Sequence, residues 1–169
     1  MKKEKNIILI GMPGCGKSSI GTALAKMMNI EFADTDELII KTAGKSIPDI
    51  FTQDGEEIFR KLETEALQTL CNRTNKTNGK KPKVLVIATG GGIVTRPENQ
   101  EIIKQNGIVF FLDRELSQLP TTGRPLSQKE GIEVLAKVRM PLYSKWSDYT
   151  VPVCGIEETA KKIHKQLSL

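Results

Sequence analysis

A short glycine-rich loop carries the strongest chemical signal in the sequence: GMPGCGKSSIG at 11–21 directly follows the apolar run 6–10. Gly11, Gly16, Lys17 and Ser18 match the pattern GxxxxGK[ST]. In that pattern backbone amides surround phosphate oxygens, the lysine reaches the outer phosphates and the serine hydroxyl ligates Mg²⁺. A plain strand-to-helix turn needs neither the lysine nor the serine at those offsets. The loop is therefore predicted to bind a nucleoside triphosphate.

Two carboxylates lie where an acceptor for a phosphoryl group could bind. Asp34 and Asp36 follow a weak strand pattern at 31–33, and open α/β sheets bind ligands at the carboxyl ends of their strands. With this spacing Asp34 could support the Mg²⁺ shell while Asp36 receives the acceptor hydroxyl. The residues alone favour equally a helix that begins at Glu37 and is capped by Asp36 or Thr35.

Two arginines are candidates for binding an anionic acceptor. Arg60 falls at the edge of the apolar stripe of a predicted helix. That stripe consists of Ile58, Leu62, Ala66 and Leu70. Arg139 lies inside an apolar stripe that continues to Tyr143 and Trp146, although Pro141 could kink or end that helix. A guanidinium on such a face needs an anion, and the residues alone favour a buried pair with a local carboxylate over a ligand.

Three glycines and a further arginine complete the candidates. Gly90, Gly91 and Gly92 follow the apolar run 84–88. Glycine lets the backbone approach another segment or a ligand closely, although a plain loop is the simpler interpretation. Arg124 lies in a polar stretch and could belong to a mobile lid that carries a cation to the phosphates.

The elements that must position these residues follow an alternating pattern. Apolar, β-rich runs occur at 7–10, 84–88, 108–112 and 150–153, with the weaker candidate at 31–33. Segments of helical period separate them. Continuous apolar strands alternating with helices are typical of a parallel sheet covered on both faces. The sequence therefore predicts an α/β fold with five strands.

Composition narrows the class of protein. The chain has 169 residues, the usual size of one domain, and a formal net charge of +5 with its lysines spread out. The even spread of the lysines favours an ordinary solvated surface over a surface that binds nucleic acid. No stretch approaches the roughly 20 apolar residues of a membrane span, so a cytoplasmic protein is expected. Cys15, Cys71 and Cys154 have no CxxC spacing, which argues against a disulfide or zinc framework, and Cys15 is interpreted as a small filler of the loop.

Several motifs together resemble the shikimate kinase family. They are, in chain order, the phosphate loop, DTD at 34–36, SIPDIFTQDGEEIFRKLE at 46–63, GGG at 90–92, GRPL at 123–126 and RMPLY at 139–143. The resemblance implies a three-layer P-loop kinase fold with a five-stranded parallel sheet flanked by helices. It also implies Mg²⁺-dependent transfer of the ATP γ-phosphoryl group to the 3-hydroxyl of shikimate.

The same resemblance implies roles for individual residues. Lys17, Asp36 and Arg124 are expected to act in catalysis, with Arg124 in the lid also meeting the nucleotide phosphates. The residues expected to bind the nucleotide are also Gly14, Cys15, Gly16, Ser18 and Ser19. The metal is expected to bind Ser18 directly and Asp34 in its outer shell. The residues expected to bind shikimate are Asp36, Arg60, Gly90, Gly91, Gly92 and Arg139.

The resemblance runs over nearly the whole chain and departs from the family at one segment. It implies one monomeric domain over 1–169, with a shikimate-binding segment at about 34–62 and a lid at about 114–127. Only eleven residues, Arg114 to Arg124, separate the fourth strand from the lid arginine, where the family usually has a helix whose arginine packs on adenine. Arg114 is therefore not assigned that role. The alternatives are a related kinase acting on gluconate or a nucleoside monophosphate, and a non-catalytic nucleotide-binding regulator or nucleic-acid binder.

Overall fold

The computed structural model describes residues 4–73, 83–120 and 131–168. The strands are β1 (Asn6–Ile10), β2 (Glu31–Asp34), β3 (Leu85–Ala88), β4 (Gly107–Asp113) and β5 (Tyr149–Pro152). The helices of this part of the chain are α1 (Lys17–Met28), α2 (Thr35–Ala43), α3 (Ile47–Gln53), α4 (Glu56–Arg73), α5 (Pro97–Asn106), α6 (Ile132–Trp146) and α7 (Ile156–Leu167). Short 3₁₀ turns occupy Ile93–Thr95 and Leu116–Gln118.

The five strands form one parallel sheet in the order β2-β3-β1-β4-β5. All five predicted strands are confirmed, and the sheet is flanked by helices as expected. Strands β1 and β3 are buried along their whole length, which explains their continuous apolar runs. The fully buried side chains of β1 and β4 lie at the centre of the main core.

The strand order determines where the site lies. The phosphate loop follows β1, the two aspartates come at the end of β2 and the glycine turn follows β3. Because β2, β3 and β1 are neighbours and parallel, their carboxyl ends meet at one edge of the sheet. The fold therefore brings the three motifs together.

Helix α4 buries Ala66 and Leu70 of the predicted stripe, and Leu62 in part, but not the first residue of the stripe. Ile58, expected in the apolar stripe, is 43% exposed, whereas Phe59, Arg60 and Glu63 are buried. The reason is that α4 packs against α2 and α3 in a small second cluster, to which Phe59 contributes. As a result, two charged side chains, Arg60 and Glu63, lie on the inner face of the helix.

The start of α2 differs from expectation, and the structure decides the question of Pro141 that the sequence leaves open. Helix α2 begins at Thr35, and its N-cap is Asp34, whose side chain accepts a hydrogen bond from the Asp36 amide. The prediction that Asp36 or Thr35 caps a helix starting at Glu37 is therefore wrong. Helix α6 continues through Pro141 to Trp146. Within the described ranges, no helix is both long and apolar enough to cross a membrane.

Candidate active site

The phosphate loop is built around its lysine. Gly14 and Gly16 have φ of 79° and 103°, a region that favours glycine, and α1 begins directly afterwards at Lys17. The Lys17 Nζ donates to the carbonyl oxygens of Gly11 at 2.7 Å and Met12 at 2.9 Å. These bonds fix the ammonium inside the loop, at the N-terminus of a helix whose dipole favours anions.

Ser18 and Asp34 stand side by side across the end of the sheet. The Ser18 hydroxyl donates to Asp34 Oδ2 at 2.5 Å, while Asp34 Oδ1 accepts from the Asp36 amide at 2.8 Å. One carboxylate thus caps α2 and positions the hydroxyl of the phosphate loop. Oxygen donors of this kind suit Mg²⁺, which prefers one or two protein oxygens completed by phosphates and water.

Asp36 is the most perturbed carboxylate of the cavity. Its Oδ1 is buried and has no hydrogen-bond partner among the described residues. Burial raises the pKa of Asp36 to about 7, and the negative charges of Asp34 and Glu63 add to the effect. A carboxyl group with a pKa near neutrality can accept a proton from a bound hydroxyl.

Arg60 and Glu63 form a buried ion pair beside Asp36. Arg60 is 6% exposed and Glu63 is 1% exposed, and the guanidinium Nη1 donates to Glu63 Oε1 at 2.8 Å. The other Glu63 oxygen, Oε2, has no hydrogen-bond partner in the described part of the chain, and burial raises the pKa of this group. Glu63 was missed as a site residue, although its three-residue spacing from Arg60 on a helix could have indicated a pair.

The three glycines after β3 make room for other parts of the protein. A Cβ atom at Gly90 would lie 2.3 Å from Glu63 Oε2, and one at Gly92 would lie 2.1 Å from Arg60 Nη1. At Gly91 the nearest atom would be Cδ of Pro13 in the phosphate loop, 2.6 Å away. The glycine turn is therefore packed between α4 and the phosphate loop, where residues larger than glycine would not fit.

Arg139, on α6, is a second buried arginine close enough to Glu63 for their charges to interact. It is 4% exposed, inside the predicted apolar stripe, and its positive charge acts on both Glu63 and Tyr143, lowering their pKa values against the effect of burial. The Tyr143 hydroxyl, one helical turn later, donates to the Gly91 carbonyl. No carboxylate forms an ion pair with Arg139 in the described ranges, so the buried pair favoured by the residues alone is not found there.

One cavity of about 390 Å³ joins most of the predicted residues. Its lining comprises Pro13, Gly14, Gly16, Lys17, Ser18, Ser19, Asp34, Asp36, Thr89, Gly90, Gly91 and Arg114. Cys15 is buried within the loop, and Arg60, Gly92 and Arg139 are buried or packed outside the lining, with Arg60 against Gly92. Arg124 lies outside the described residues.

The phosphate loop after a central parallel strand, with a carboxylate of raised pKa in the same cavity, defines a P-loop phosphotransferase. The family model described as shikimate kinase matches residues 13–168. The chain belongs to the shikimate kinase family. It is thus an ATP-dependent kinase of the shikimate pathway, as the sequence motifs predict.

Individual relatives are similar in sequence to this chain over most of their length. A shikimate kinase of Thermodesulfovibrio yellowstonii is 39% identical, over 96% of this chain and 94% of the relative. One of Xylella fastidiosa is 41% identical, over 89% and 84%. The solved structure of shikimate kinase from Acinetobacter baumannii in complex with shikimate has a TM-score of 0.86 and 35% identity, covering 97% of this chain and 93% of that one.

Proposed function

We propose that the protein transfers the γ-phosphoryl group of ATP to the 3-hydroxyl of shikimate in this cavity, giving shikimate 3-phosphate and ADP. The observation that carries this proposal is the placement of Asp36. Its buried Oδ1, which has no hydrogen-bond partner among the described residues, and its pKa of about 7 support its role as a proton acceptor in the same cavity as the phosphate loop. Phosphoryl transfer needs mainly such positioning and charge neutralisation.

The nucleotide side of the reaction is assigned to the phosphate loop. The amides around Gly14, Cys15 and Gly16 hold phosphate oxygens, together with the ammonium of Lys17 and the adjacent Ser19. The bonds from Lys17 to two loop carbonyls hold its charge where the transferred group gains negative charge. Arg124, outside the described residues, is proposed to add a second charge from the lid.

Mg²⁺ fits the donors at the edge of the sheet. Ser18 would ligate it directly and Asp34 through water, and the closeness of the two side chains, 2.5 Å apart, supports their sharing one small ion. Among the described residues, no cluster of three or more metal-ligating side chains competes for such an ion. When bound, the metal neutralises phosphate charge and orients the nucleotide.

The acceptor side is assigned to the walls around the glycine turn. Asp36 accepts the proton of the reacting hydroxyl. Arg60 and Arg139 bind the carboxylate of shikimate, because two planar guanidinium groups fix both the position and the orientation of an acid. The backbone at 90–92, against which Arg60 packs at Gly92, is proposed to complete the acceptor site.

Three further assignments belong to this proposal. The chain acts as a single domain over 1–169, as a monomer, and in the cytoplasm. Shikimate, rather than nucleic acid or a membrane, is its partner.

The test is a coupled assay of ADP release against a panel of acceptors. The wild-type protein with Mg²⁺ and ATP should release ADP with shikimate, and not with gluconate or nucleoside monophosphates. Lys17→Ala serves as the matched control for contaminating kinases. Turnover with gluconate or a nucleotide, but not with shikimate, would overturn the assignment. Salt-dependent DNA binding without turnover would favour a regulator.

A further inference from the structure

Arg114 is a charged side chain of the cavity to which no motif assigns a role. It follows β4 directly, and β4 is the neighbour of β1, whose end opens the phosphate loop. The half-buried guanidinium therefore reaches the loop, and its Nη1 donates to the Gly14 carbonyl at 3.3 Å. It lines the same cavity as Lys17 and Ser18.

The segment that carries Arg114 is held against the loop by packing. Leu119 is buried in the main core, and Pro120 covers Gly14 so closely that a Cβ there would lie 2.9 Å from Pro120 Cδ. This contact requires glycine at 14, whose φ is also positive. Arg114 thus stands on an anchored segment and not on a free surface loop.

The charge balance of the cavity indicates what Arg114 can bind. Among the described lining residues the cations are Lys17 and Arg114, and they face Asp34 and Asp36. A polyphosphate adds several further negative charges. Within the described part of the chain Arg114 forms no ion pair, and its one hydrogen bond there, to the Gly14 carbonyl, leaves most of its five donors available.

We propose that Arg114 contacts the polyphosphate of the bound nucleotide, as a cation additional to Lys17. The assignment rests on the proposed binding of nucleotide phosphates by the loop. The guanidinium keeps its bond to the Gly14 carbonyl and donates its remaining N–H groups to phosphate oxygens. A planar guanidinium can form two parallel hydrogen bonds to one phosphate, which the ammonium group of a lysine cannot. Arg114 takes part in nucleotide binding and not in acceptor binding.

The test measures the binding of ATP and of inorganic tripolyphosphate, both with Mg²⁺, by calorimetry. Arg114→Ala should weaken both by about tenfold or more, the loss expected for a charged hydrogen bond. Arg114→Lys should retain part of the affinity. Arg114→Gln, which keeps a donor for the Gly14 carbonyl but no charge, should behave like the alanine variant. The KM for shikimate should stay unchanged.

The control is Arg73→Ala, which removes an exposed arginine at the far end of α4, paired with Glu31 at 3.7 Å. Full affinity in Arg114→Gln would make the residue a support for the loop and overturn the phosphate contact. A loss for ATP alone, with tripolyphosphate unaffected, would move the contact to the base. An equal loss in Arg73→Ala would reduce the effect to general charge. Failure of the wild-type protein to bind either probe would instead refute the phosphate-loop assignment itself.

Discussion

The pKa of Asp36 gives a quantitative prediction for the pH dependence of the reaction. If Asp36 accepts the proton of the acceptor hydroxyl, only its ionised form is active. With a pKa of about 7, roughly one tenth of the enzyme is ionised at pH 6 and about nine tenths at pH 8. The kcat/KM for shikimate at sub-saturating ATP, where unliganded enzyme predominates, should therefore rise about tenfold between these pH values and then level off.

The comparison with Asp36→Asn isolates this group. Asparagine keeps the size of the side chain, so kcat should fall sharply while ATP binding persists. The residual activity should lack the tenfold rise. Titration of the terminal phosphate of ATP affects both proteins, so the ratio of their pH profiles reports Asp36 alone. A wild-type profile flat from pH 6 to 8, or the same rise in Asp36→Asn, would refute the assignment.

Stability supplies an independent check with a definite sign. The pKa of Asp36 rises from 3.8 to about 7 on folding because burial disfavours the charge, so the wild-type fold loses stability as the pH rises through this window. Asp36→Asn avoids that loss. It should exceed the wild type by about 2 to 4 kcal/mol in urea unfolding at pH 8, and the difference should shrink towards pH 4. A constant difference across this range would show that Asp36 titrates normally.

Three further substitutions test the other parts of the site. Lys17→Ala should reduce kcat by at least about 100-fold, because charge stabilisation of the transferred group is lost, and a wild-type kcat would remove the lysine from the phosphates. Arg139→Lys, with its thermal transition unchanged, should raise the KM for shikimate about tenfold and leave that for ATP nearly constant; a defect confined to ATP would place Arg139 elsewhere. Thr64→Val removes a donor to the buried Asn99 Oδ1, 2.9 Å away, and should lower the free energy of unfolding by about 1 to 3 kcal/mol. Unaltered urea unfolding would show that this bond between α4 and α5 contributes nothing.

The strands and the phosphate loop could be predicted because their signals are local. Buried parallel strands need continuous apolar runs, and a phosphate loop needs glycine, lysine and serine at fixed offsets. Arg139 was placed correctly on the buried face of its helix by periodicity. Periodicity alone does not decide whether α6 continues through Pro141. The helix does continue, because tertiary packing offsets the backbone hydrogen bond that proline cannot donate.

The charged part of the inner face of α4 could not be predicted, since the glycine turn on which it packs is distant in sequence. Periodicity placed Ile58 inside and Arg60 at the edge of the stripe, because it counts only apolar side chains. In the fold, Arg60 pairs with one oxygen of Glu63, and the two side chains pack on glycines of another segment, at Gly92 and Gly90. A buried ion pair against a glycine turn leaves no periodic apolar signal.

The most direct measurement is a crystal structure of the protein with ADP, Mg²⁺ and shikimate bound. The carboxylate of shikimate should lie within about 2.7–3.2 Å of guanidinium nitrogens of both Arg60 and Arg139. Its 3-hydroxyl should lie within the same distance of an oxygen of Asp36, facing the nucleotide in the phosphate loop. Shikimate bound away from the glycine turn at 90–92, or bound there with its carboxylate on neither arginine, would contradict the proposed acceptor site.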